Sequence, residues 1–197
     1  MTTGTRRIGI MRQSRRGART VTGMRRALVA VVAVACLSSA AGCSSAVAPR
    51  TWVTSVCQSL RPWRAAISNL NATAQTQMAS AKTPADTRTH VLALLNGART
   101  ASEKARADVA AAGAPDVDGG ADIEKRFVAS LAAVRDAYGH AAVTVRTLPA
   151  DKASTFYDGV RVALAQLTTD YNRAGADPSK IASPELQADF GQVAACR

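Results

Sequence analysis

Four stretches of this chain repeat one pattern. Apolar residues recur mostly three or four positions apart, and proline or glycine cuts each stretch off from the next. That spacing draws an apolar stripe down one side of an α-helix. The first stretch carries Val53, Val56, Leu60, Trp63, Ile67, Leu70 and Met78. The second carries Val91, Leu94, Leu95, Ala98, Ala105 and Val109, and ends before Gly113. The third runs through Ile123, Phe127, Leu131, Val134, Tyr138, Ala142 and Val145, closed by Leu148-Pro149. The fourth holds Phe156, Val160, Leu164, Leu167 and Tyr171, ending near Gly175. No segment alternates with period two for long, and no Asn-Gly or Asp-Gly joins two such runs as a hairpin would. Short connections between long amphipathic helices make an all-α, antiparallel four-helix bundle the expected fold.

Local signals refine the boundaries. Thr83-Pro84 reads as N-cap and first helical residue, with Asp86 in the first turn. Ala114 to Gly120 and Asp177-Pro178 read as loops. Ser183-Pro184-Glu185 starts a short fifth helix with Leu186, Phe190 and Val193 on one face. Pro62 lacks a backbone donor, so a kink or restart is expected inside the first helix.

The N-terminus carries a different message. Arg25 and Arg26 precede an apolar run of 11 residues, Ala27 to Leu37, followed by small residues and then Cys43. A membrane-spanning helix needs about 20 apolar residues, whereas a signal-peptide core needs about 7–15. Ala40-Ala41-Gly42-Cys43 resembles the lipobox of bacterial lipoproteins, with Ala40 where that family prefers Leu. The resemblance implies residues 1–42 as a lipoprotein signal peptide and Cys43 as the lipidated first mature residue. Residues 43–50 then form a lipidated tether and 51–197 a helical-bundle domain. Met1, Met11 and Met24 are all possible starts. The twin arginines Arg15-Arg16 and Arg25-Arg26 leave both general and twin-arginine export open.

Removing residues 1–42 changes the charge balance. It takes away eight of the 25 Lys and Arg and none of the 14 Asp and Glu. What remains is 17 against 14, a net +3 instead of +11. The remaining charges are interspersed, so no basis for a nucleic-acid partner survives. Cys36 leaves with the signal and Cys43 is consumed by the anchor. Cys57 and Cys196 are left, one near each end of the folded part. In an oxidising compartment this pair reads as an intramolecular disulfide, with two buried thiols or an intermolecular bridge as alternatives.

Few residues suggest a site. Asp116, Asp118, Asp122 and Glu124 could form a calcium loop. Yet Ala121 stands where an EF-hand needs its turn glycine, and Phe127 where it needs its last glutamate. The favoured reading is helix capping and first-turn charge. His90 and His140 are assigned no metal role, for want of partners at ligand spacing on their own helices. Trp52 and Trp63, 11 residues apart, would share a face of a straight helix. They could stack on a sugar or line a lipid pocket, but are favoured as core or groove fillers. No nucleotide-binding or hydrolase motif occurs, and no cofactor or metal is expected.

The run Trp52-Val53-X-X-Val56-Cys57-X-X-Leu60-X-Pro62-Trp63 is similar to small lipoproteins of high-GC Gram-positive bacteria, mycobacteria included. It brings no activity with it. The expectation is a lipid-anchored protein on the extracytoplasmic face of the cell membrane, serving as a non-enzymatic binding or accessory module for an envelope partner. A carrier of an apolar ligand in an interhelical cavity is the alternative, and an enzyme comes third.

Overall fold

The computed structural model describes residues 46–176, 181 and 183–197. Cys43, the segment before it and Asp177-Pro178 lie outside the described residues. The described residues form five α-helices: α1 (Pro49–Ser80), α2 (Pro84–Ala111), α3 (Gly120–Thr147), α4 (Ala153–Ala174) and α5 (Pro184–Gln192). A short 3-10 turn, Ala194–Cys196, ends the chain. The fold is all-α, as the periodicity predicts, and each of α1 to α3 packs antiparallel against the helix that follows it.

Capping explains the sharp starts. The Thr83 hydroxyl accepts from the Asp86 backbone N–H at 3.1 Å, while the Asp86 carboxylate accepts from the Thr83 N–H at 3.0 Å. This reciprocal box is worth about 1 kcal/mol. The Ser183 hydroxyl caps α5 one way only, accepting from the Leu186 N–H. At the end of α2 the chain turns through Gly113, whose φ of 73° is the left-handed region glycine tolerates.

Pro62 does not restart α1, which runs unbroken for 32 residues. The expected interruption is absent for a physical reason. Pro62 and Gln58, whose carbonyl loses its partner, are both exposed, so water can take the orphaned acceptor. The structured body also begins earlier than residue 51. The Val47 N–H donates to the Ala114 carbonyl at 2.8 Å, and the Val47 carbonyl accepts from the Asp116 N–H at 2.7 Å. Val47 to Arg50, read from sequence as tether, therefore belong to the body.

Two separate cores hold the helices. One gathers the start of α1, the end of α2, the start of α3 and α5 around Trp52, Leu60, Phe127, Leu131 and Leu186. The other gathers the start of α2, the end of α3 and the start of α4 around Val91, Leu95, Val145 and Phe156. No Cα of α4 lies within 8 Å of one in α1. The array is thus open on that side, and Ile67, Leu70 and Met78 of α1 and Leu164, Leu167 and Tyr171 of α4 stay half-buried or exposed.

The disulfide is present. Cys57 and Cys196 lie with their Cα atoms 4.9 Å apart and their sulfurs bonded, so the end of the chain is stapled to α1. For a loop this long the bridge is worth up to about 4–5 kcal/mol, several times a helix cap.

Candidate functional site

A groove of about 740 Å³ runs between α1 and α2. Its floor is apolar, with Trp63, Ala66 and Leu70 from α1 and Gly97, Ala101 and Ala105 from α2, and exposed Pro62 edges it. Its rim is polar, with Asn69, Thr73, Asn96, Thr100 and the Lys104–Asp108 ion pair at 2.6 Å. Small side chains set the depth. A Cβ on Gly97 would come within 2.7 Å of Leu70 Cδ2, so the helices approach closely there. Trp63 is fixed rather than loose: its Nε1 donates to Ser102 Oγ at 3.1 Å, and that hydroxyl donates to the Ala98 carbonyl at 2.8 Å. Ser102 is fully buried, so this chain satisfies a polar group that would otherwise cost stability.

The two tryptophans have parted company in role. Trp52 is fully buried, donates through Nε1 to the Gly113 carbonyl at 2.7 Å, and meets Phe127 and Phe190 edge-on. It fills the first core. Trp63 is half-buried and lines the groove.

The acidic cluster is not gathered around anything. Asp116, Asp118 and Asp122 are exposed. Among the described residues no three His, Cys, Asp or Glu side chains converge on a metal-sized space. The capping reading needs correction too: the N-cap of α3 is Gly119, with φ of 68°, and no acidic side chain caps it. Asp122 does supply first-turn charge.

Both histidines do have an acid at helical spacing, contrary to the sequence reading. Asp86 stands four residues before His90 and Asp136 four before His140. Each acid is already engaged. The Thr83 hydroxyl and backbone donors hold Asp86 below the usual carboxylate range. A two-pronged contact with Arg135, at 2.8 and 3.0 Å, does the same for Asp136.

The strongest shift sits on the α2–α3 seam. Glu103 accepts from Arg106 at 2.7 and 3.0 Å and from Arg135 at 2.7 Å, which brings its pKa to about 2. This is a structural tie between two helices, and the groups around it are already spent on one another. Tyr138 is pushed up to about 12, chiefly by burial.

Sequence reasoning found Trp63 but missed Gly97, Asn69 and Asn96. The only available signal was a glycine inside a strong helical pattern, which marks close approach of a neighbour. No known protein family, curated protein or solved structure matches this chain.

Proposed function

We propose that this chain is a lipid-anchored module of the extracytoplasmic membrane face, and that it binds an envelope protein through the α1–α2 groove. The groove carries the reading. It joins apolar lining and a fixed half-buried indole to a polar rim of amides, hydroxyls and the Lys104–Asp108 ion pair, the composition of a small recognition surface. Val143, Tyr157, Val162 and Tyr171 are also exposed, on α3 and α4. A carrier must enclose most of its ligand's surface. Here Pro62, Asn69, Thr73, Asn96, Thr100 and Lys104 are all exposed, so a segment of protein laid along the groove suits it better than an engulfed small molecule. The lipobox-like run ending at Cys43 supports the anchor.

A photo-crosslinking residue placed at Ala101, in the groove, tests this in intact cells. A discrete protein adduct is expected from Ala101 and not from exposed Ala129 on α3. No adduct at Ala101, or the same adduct at both positions, overturns the reading.

A further inference from the structure

α1 has an arginine face. Arg50, Arg61 and Arg64 are 11 and 14 residues apart, close to whole numbers of helical turns, so they project from one side over about 21 Å. All three are exposed, and α1 contains no Asp or Glu. None of them joins an ion pair among the described residues, although Arg106, Arg135, Arg161 and Arg173 each find a carboxylate. Arg50 even sits in the first turn of its helix, where the dipole disfavours a cation. Cys57 lies on the same side, buried where the C-terminal turn packs on α1, and its bridge to Cys196 brings Arg197 alongside. The carboxylates on elements packed against this face are Glu185, Asp189 and the chain terminus.

A second observation fixes what this face can reach. Val47 is clamped by two backbone hydrogen bonds to the turn at Ala114–Asp116. It stands four positions after Cys43, a reach of about 14 Å when fully extended. An anchored chain therefore keeps the start of α1 at the bilayer surface. Two postures are open to it. Standing on its end, the molecule would press Asp116, Asp118 and Asp122 toward the lipid headgroups. Lying along α1, it would offer Arg50, Arg61 and Arg64. Against anionic phospholipid, the acidic loop opposes the first posture, and the three arginines favour the second within a Debye length of about 8 Å.

We propose that the Arg50–Arg61–Arg64 face of α1 is a docking surface for anionic phospholipid headgroups, and that the molecule reclines on it. This rests on the anchor at Cys43. The groove-lining positions Ser59, Pro62, Ala66, Asn69 and Thr73 lie roughly 150° around α1 from the arginines. The recline thus turns the groove away from the bilayer, toward partners.

The test uses the processed protein purified from membranes. It is reconstituted into vesicles of phosphatidylglycerol and phosphatidylcholine carrying a headgroup quencher, with a fluorophore at Ser68→Cys on the arginine side or Thr100→Cys on the groove side. Mass spectrometry reports the acyl state of Cys43 independently. The expected result is strong quenching at position 68 and little at 100. That contrast is lost in pure phosphatidylcholine and in the variant R50Q/R61Q/R64Q, which stays vesicle-bound through its lipid. An acylated Cys43 with equal quenching at the two positions overturns the docking face alone. So does a contrast that survives in phosphatidylcholine or in the triple variant. An unmodified Cys43 overturns the anchor, and the posture with it.

Discussion

Gly120 and Glu103 show how differently single residues hold this molecule. Gly120 is buried at the start of α3, and a Cβ built on it runs into the Pro115 carbonyl. Backbone cannot step aside as a side-chain tip can. Gly120→Ala should therefore cost about 2–4 kcal/mol, the range of severe steric changes in a packed interior. Gly191→Ala on α5, with nothing within 4 Å of its added methyl, should be neutral or slightly stabilising. Urea denaturation of the pair decides it, and equal midpoints would refute the close approach. Glu103 acts through charge instead. Its folded pKa lies at about 2, below the ordinary 4.5, so its stabilising effect is complete above the ordinary value and disappears as pH falls toward the folded one. Glu103→Gln should lower stability at neutral pH, and the variant and parent curves should converge between pH 4.5 and 2. A difference independent of pH would show that the seam is not held by ionised Glu103.

The helices themselves were legible in the sequence, because a period of 3.6 is written into one chain segment and needs no partner to be read. Thr83 and Ser183 marked their own caps for the same reason. What periodicity cannot say is whether a neighbour arrives. Leu164 and Leu167 continue the stripe of α4, yet α1 never comes to cover them, and Tyr171 remains 37% exposed. Pro62 misled because the cost of a missing donor depends on which side of the helix it falls, and here it falls in water. The groove was hidden almost entirely. It depends on the register of α1 against α2, which Trp63, Leu70 and Gly97 settle together and none settles alone. The pairing of Cys57 with Cys196 was legible by counting once export was assumed, and it governs one element. Cys196→Ser should cost about 2–5 kcal/mol and loosen α5 from α1. Limited proteolysis should then cut near Pro184 in the variant and spare the parent. Unchanged stability and cleavage would mean that burial of Leu186 and Phe190 alone holds the last helix.

At the scale of the whole molecule, α2 and α3 form a shared spine with one core at each end. The stapled core lies beside Val47, where the chain from Cys43 enters. Cys43→Ser should abolish lipid labelling and release the protein from membranes, since stable anchoring needs two or more acyl chains at about 0.8 kcal/mol per buried methylene. Labelling and fractionation that match the parent would remove the anchor from this account. With the anchor in place, the clip at Val47 acquires a mechanical meaning. A pull from the bilayer enters α1 there and within ten residues reaches Cys57, where a covalent rivet shares the load with the last residues of the chain. The groove begins at Ser59, just beyond that rivet. A partner held in it tugs on a strut already fastened at both chain ends, while α4 and the second core stay out of the line of force.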